Sequence, residues 1–521
     1  MSTDLLDVLK LDTGCDCGCE NCRRQKDALV AGMVSLARSK RTTLSERWSG
    51  PASPTAAIGQ GSEAAAQRRP RGQQLGEPGH GRRRYDHLLV SEEVVLAPPP
   101  EDLVCTECGL PYEEMSKGSS DEIEVGLVVR RRRTRRPAYG PRCRCQPRAL
   151  VQAPAPPKLI PKGLLTVNTV AWLLIWKFEL ATPVQRITGM LALSGLDLAP
   201  GTVAGVFEQV TPLLEALASR IREHTASADQ LHTDETGWRL LGLAREEWGR
   251  KFAWIWILVA ADSVSYLVAE SRSTAVLIEH LRLDPERPKL DPERSLILHC
   301  DRYSANLSLL RRCPDILGAI CWAHVRRDFW ELRGHPRLGE WAGQWLERIG
   351  ALYHAHQLWN RCPEPDDSAP EQQLREGVGK TLGEIERALR QELALASLEP
   401  AARKVLISLD LHWPGLTVST ELRGVALDNN LAERGLRTPV ILERNCLGSA
   451  SLWSTRLAAA CWTVLGTAKL TGWNLHRYLA DYLDSCRLAA GVPADLDRFL
   501  PWSASPTERQ RWRGALEPDS S

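Results

Sequence analysis

Apolar residues recur at helical spacing through residues 164–227, with breaks at Thr182–Pro183 and Pro200, so the pattern predicts helices there. The period then changes. Residues 231–241 (LHTDETGWRLL), 252–261 (FAWIWILVAA) and 264–269 (VSYLVA) read as three consecutive strands. A helix at about 273–283 comes next, and SLILHC at 295–300 reads as a fourth strand. This β-β-β-α-β order predicts an α/β fold, a mixed sheet with helices in layers on it. Residues 337–397 return to helical spacing, broken by the polar stretch CPEPDDSAP (362–370), and are expected to form a helical insertion. Two further helices are predicted at about 454–469 and 474–488.

The first third is patterned differently. Residues 1–48 hold CDCGCENC (15–22) and a short helical pattern, and residues 49–80 are rich in Gly, Pro, Ala, Ser and Gln, the composition of a flexible linker. A compact module is expected at 81–150, tied to the helical region by the proline-rich LVQAPAPPKLIPKG (150–163). At 521 residues the chain is too long for one core, and two to four domains are expected.

Composition adds little until charge is divided along the chain. Residues 1–162 carry 26 Lys/Arg against 20 Asp/Glu, and the remainder 40 against 44. The excess centres on Arg130–Arg148, with nine arginines and no acid, including Arg130, Arg131, Arg132, Arg133, Arg135 and Arg136. Such a run is either a solvated face or a nucleic-acid contact. No apolar run spans a bilayer and no secretory leader is evident, so a cytoplasmic protein without a membrane partner is expected.

Cysteines cluster where the charge does. Cys105 and Cys108 form a C-x-x-C pair, and Cys143 and Cys145 a second, tighter pair. Four soft ligands on two turns suit a structural Zn²⁺ site. CDCGCENC leaves little room for a fold around a metal, and the cysteines from Cys300 to Cys486 are expected to be small buried apolar residues.

Three acids are candidates for chemistry. Asp234 lies in a predicted strand with His232 on its face, and Asp301 follows a predicted strand with His299 on its face. Paired carboxylates at strand ends suit Mg²⁺, and two such ions can assist phosphoryl transfer. Glu433, in VALDNNLAERGLRTP (425–439), has two readings: a capping-box partner for Asn430, also paired with Arg437, or a third metal ligand. His324, Arg326 and Arg327 in CWAHVRRDF are either a phosphate-contacting group or an ordinary helix face.

Taken together, HTDETGWRLL (232–241), CDRYSANL (300–307), CWAHVRRDFWEL (321–332), LDNNLAERGLR (427–437) and FLPWSAS (499–505), after the basic GHGRRRYDHL (79–88), resemble the transposases of the insertion-sequence-66 family. That is a branch of the DDE transposases with a ribonuclease-H-like core. The resemblance covers most of the chain after residue 79. It implies a ribonuclease-H-like catalytic core at 228–450 with an insertion at about 335–400, a helical region at 164–227, and C-terminal helices and tail at 451–521. It implies a zinc-finger-like DNA-binding module at 81–150 with Zn²⁺ on Cys105, Cys108, Cys143 and Cys145. It implies a catalytic triad of Asp234, Asp301 and Glu433 holding Mg²⁺ or Mn²⁺. The expected activity is metal-dependent DNA strand cleavage and transfer. The expected partners are the element's terminal repeats, target DNA and accessory transposition proteins, with an oligomer formed on DNA. Two departures stand out: Asp301-Arg302-Tyr303 replaces the family's Asp-Gly-Tyr, and no N-terminal leucine-rich coiled coil is evident. The alternatives are a catalytically inactive, transposase-derived DNA-binding protein, or a His/Asp metallohydrolase built on the two H-x-D triplets.

Overall fold

The structure is a computed structural model that describes residues 103, 105, 107–112, 127–140 and 151–513. All of these belong to one compact unit, Pro98–Ser521. CDCGCENC, the linker at 49–80, GHGRRRYDHL, and Cys143 and Cys145 lie outside the described residues.

Thr166 opens the first helix, its hydroxyl accepting the Thr169 N–H. α1 (Val167–Leu174) continues into a π-helical turn, Ile175–Glu179. Pro183 sits at the N-cap of α2 (Val184–Leu193), and Pro200 in the first turn of α3 (Pro200–Ala226), where the missing N–H costs nothing.

The sheet comes next: β1 (Gln230–Arg239), α4 (Gly242–Trp248), β2 (Phe252–Val259), β3 (Val264–Ala269), α5 (Thr274–His280), β4 (Leu296–Cys300), α6 (Ser304–Arg312) and β5 (Ile316–Ile320). Its order is β3-β2-β1-β4-β5. β2 runs antiparallel to both β1 and β3, and β4 and β5 run parallel to β1. The predicted mixed sheet is present, with a fifth strand added. ILGAI (316–320) is short and carries a central glycine, which weakens its strand signal.

Alternation along β2 divides the core. Ile255, Ile257 and Val259 face α3 and α14 (Leu452–Leu470), while Trp256 and Leu258 face α5 and α6. Each of these side chains contributes about 1.5–3 kcal/mol relative to remaining exposed. A third core joins α7 (Trp322–Leu332), α8 (Gly339–Asn360), α9 (Ala369–Leu393), α10 (Pro400–Leu411) and α11 (Trp413–Glu421), with Trp322, Phe329, Trp345 and Trp359 buried in it. The polar stretch 362–370 breaks α8 from α9, as its composition predicts.

α12 (Asn430–Gly435) and α13 (Arg437–Cys446) return the chain to the sheet. α14, α15 (Leu475–Ala489) and α16 (Pro506–Trp512) complete it. Cys300, Cys313, Cys321, Cys362, Cys461 and Cys486 are buried, as expected, and Cys446 is half-buried. Among the described residues no helix is long and apolar enough to cross a membrane.

Candidate functional site

The register between β1 and β4 places the two aspartates. His232 pairs with His299 across the parallel strands, and their rings stack with centroids 3.9 Å apart. Asp234 and Asp301 each lie two residues further on, so they emerge on one face of adjacent strands at the same level. Burial, above all, pushes the Asp234 carboxyl up to about 7. The Glu235 N–H donates to its Oδ1 at 2.9 Å and opposes this, while the charges of Glu235, Asp301 and Glu433 add to it. Asp301 Oδ1 accepts the Tyr303 N–H and Asn306 Nδ2, each at 2.8 Å. Each aspartate therefore spends Oδ1 on a bond within the chain.

Glu433 arrives on α12, which lies on the Asp234 face of the sheet. Gly435 permits that approach: a Cβ there would stand 2.3 Å from Ile257 Cδ1. Tyr266 donates its hydroxyl to Gly435 O at 2.8 Å and fixes the contact. The capping-box reading of Glu433 is not what the structure holds. The N-cap is Asn429, not Asn430, and no side chain caps the helix. Asn429 is committed elsewhere, donating Nδ2–H to Thr233 O at 2.7 Å and standing 3.2 Å from His232 Nδ1 through its Oδ1. Glu433 Oε1 is buried without a hydrogen-bond partner and lies 3.9 Å from His324 Nδ1, itself buried and without one.

The β5–α7 junction forms the remaining wall. Leu427 O accepts the Trp322 N–H at 2.9 Å, and Cys321 Sγ accepts the Asn429 N–H at 3.2 Å. Burial pushes the Cys321 thiol up to about 11. Among the described residues, the group of three donor atoms lying within 4.8 Å of one another is that of Cys321, His324 and Glu433; the aspartates stand outside it.

Behind the site, on the opposite face of β1, buried Glu235 accepts from Arg272 Nε at 2.6 Å. The Arg272 guanidinium stacks on Tyr303, 3.7 Å from its ring centre, and Tyr303 donates its hydroxyl to Arg272 O at 3.1 Å. This clamp holds the turn that begins at Asp301. Arg302, the residue in place of the family's glycine, points away from the aspartates. Its guanidinium meets Asp328 Oδ2 at 2.7 Å and donates to Ser408 Oγ at 2.9 Å.

The histidines of the two H-x-D triplets serve packing. His232 bonds Asn429, His299 lies 2.8 Å from the Gln230 amide nitrogen, and burial depresses them to about 4 and about 3. Burial also lowers His324, beside which Arg326 is half-buried and Arg327 exposed. Sequence alone assigns Asn429 and the Glu235–Arg272 pair no role, and reads Cys321 only as a small buried residue. Nothing local distinguishes a buried asparagine or cysteine from a loop residue; only the pairing of distant segments does.

Arg130, Arg131, Arg132, Arg133, Arg135 and Arg136 are all exposed, on an irregular stretch. It leads into a two-residue antiparallel pairing of Ala138–Tyr139 with Val151–Gln152. Cys105 and Cys108 flank a tight turn in which Cys105 O accepts the Gly109 N–H at 2.9 Å and Gly109 has φ +70°. Backbone N–H groups of Cys108 and Glu107 lower the Cys105 thiol.

A family model described as "Transposase IS66 family" matches residues 162–456, more than half the chain and a span that takes in Asp234, Asp301 and Glu433. Similar proteins occur in Sinorhizobium fredii (strain NBRC 101917 / NGR234). Uncharacterized protein y4jD is 25% identical over 446 residues, 81% of this chain and 80% of its own length. Uncharacterized protein y4hP is 27% identical over 447 residues, 81% of this chain and 76% of its own length. The chain belongs to the IS66 family of transposases.

Proposed function

We propose that the protein is a DNA transposase whose sheet is a ribonuclease-H-like catalytic core, with Asp234, Asp301 and Glu433 as its metal-holding triad. The observation that carries this reading is the His232–His299 register, which sets the two aspartates side by side facing the Glu433 helix. The donor set fits a hard divalent cation. Asp234 is pushed up by burial and by three neighbouring carboxylates, which a cation relieves. Mg²⁺ or Mn²⁺ held there would supply activation of an attacking oxygen and charge stabilisation in phosphodiester displacement.

The chain's own residues orient that chemistry. Oδ1 of each aspartate is fixed by bonds from Glu235, Tyr303 and Asn306, which leaves Oδ2 for the ligand. The Arg272–Tyr303 clamp holds the Asp301 turn, and Gly435 lets Glu433 sit close to the sheet. The exposed arginines at 130–136 engage the phosphates of the element's terminal repeats, and Arg326 and Arg327 those near the triad. The Cys105–Cys108 turn suits one half of a structural Zn²⁺ site, with Cys143 and Cys145 as the other half. The engagement of Arg302 by Asp328 and Ser408 supports an active protein over an inactive one. The engaged, stacked histidines give no support to a metallohydrolase.

The test is strand cleavage and transfer on duplex DNA carrying the element's ends, with Mg²⁺. Asp234→Asn, Asp301→Asn and Glu433→Gln are each expected to abolish both steps while DNA binding persists. Parental transfer by Asp301→Asn overturns the triad.

A further inference from the structure

Cys321, His324 and Glu433 bring a sulfur, an imidazole nitrogen and a carboxylate oxygen within 4.8 Å of one another. Cys321 is the last residue before α7 and His324 lies in its first turn, so the C-x-x-H spacing points both side chains to one side. Glu433 comes from α12, and Asn429 at the head of that helix donates its N–H to Cys321 Sγ.

Two atoms here lack an account. His324 Nδ1 and Glu433 Oε1 are both buried and unpartnered, and they face each other across 3.9 Å, too far for a hydrogen bond. Leaving two such atoms bare costs about 1–3 kcal/mol each. Ligands at about 2.0–2.2 Å from a tetrahedral ion stand roughly 3.4 Å apart, so a small closure would seat an ion between them. Thiolate and imidazole donors select zinc-class ions, whereas the all-oxygen set of Asp234 and Asp301 suits Mg²⁺.

We propose that Cys321, His324 and Glu433 form a distinct site for a transition-metal ion of the Zn²⁺ class, which ties the Glu433 helix to the end of β5. The site does not depend on the carboxylate triad being catalytic. With Oε1 engaged by this ion, Glu433 keeps a second oxygen for the triad and is held in place by the sulfur and nitrogen ligands. The Asn429 N–H to Cys321 Sγ supports the thiolate from behind.

The test is Co²⁺ titration of the full chain carrying Cys105→Ser and Cys108→Ser, read by absorption and by metal content. A thiolate-to-cobalt charge-transfer band is expected. Its Cys321-dependent part should vanish in Cys321→Ser and in the half-buried His324→Ala, with one fewer cobalt ion per chain. Other cysteines contribute a background that these substitutions leave unchanged. Thermal unfolding of both variants checks that they fold, and His324→Ala keeps the test decisive if Cys321→Ser does not. Asp301→Asn should keep the band, so loss of strand transfer and loss of this site are read separately. An unchanged band and metal content in His324→Ala, or in a folded Cys321→Ser, overturns the proposal.

Discussion

Asn429 bonds to groups on two separate elements: Thr233 O and His232 Nδ1 on β1, and Cys321 Sγ at the β5–α7 junction. It is 1% exposed, and its neighbours in LDNN look like turn residues in the sequence. Asn429→Ala leaves the Thr233 carbonyl and His232 Nδ1 unpaired, so a loss of about 1–3 kcal/mol in urea unfolding is expected. Because the same bonds aim the Glu433 helix, strand cleavage should fall by about 10–100-fold while DNA binding holds. At this scale the sequence offers candidate acids and is silent about what holds them. An H-x-D triplet is visible in a string of letters; a bond between residues 233 and 429 is not.

At the scale of elements, the site rests on β1, β4 and the short helix α12. The sheet was legible because β2 and β3 are short runs rich in β-branched and aromatic residues, and β4 is a short apolar run that ends at Cys300. The start of the short helix α12 was legible too, but its docking was not: the partner it packs on decides where it sits. The link from α13 back to the sheet is a sharper constraint. Gly448 has φ +105°, and a Cβ there would lie 2.0 Å from the backbone oxygen of Arg239 at the end of β1. Ser449 donates its N–H to that same oxygen at 3.0 Å, which is why the chains run so close. Gly448→Ala should therefore cost about 2–4 kcal/mol, read as a lowered Tm, since neither backbone can give way cheaply.

At the scale of the whole molecule, charge and burial set how the protein responds to its solution. Replacing Arg131, Arg132 and Arg133 by Ala should weaken DNA binding at every sequence tested. The slope of log affinity against log salt should become shallower by about 0.9 for each phosphate that is no longer neutralised. An unchanged slope would mean that this stretch only faces solvent. Acid sensitivity has a different origin. His280, at the end of α5, is fully buried beside Ser265, and burial, with Arg222 adding to it, depresses it to about 3. The unfolded chain takes up a proton at this residue below about pH 6.5, whereas the folded chain does so only near 3. Its contribution to stability is therefore present above about 6.5 and is lost as pH falls toward 3, by roughly 1.4 kcal/mol per pH unit. Between pH 6 and about 4, His280→Gln should lose stability less steeply than the parent in urea titrations.

The sequence by itself determined the strands of the sheet up to β4, the helical insertion, and the ordered motifs that belong to the IS66 family. These are properties of local period and composition, carried within short windows of chain. Tertiary structure decided which side chains meet. It set Asp234 level with Asp301 through a strand register, took Glu433 out of a cap that its spacing permitted, and turned Arg302 away from the aspartates. It also brought Cys321 and His324 against Glu433. Such contacts join residues far apart in the chain, and their energies depend on burial and on which groups remain unpaired, quantities that no local window contains.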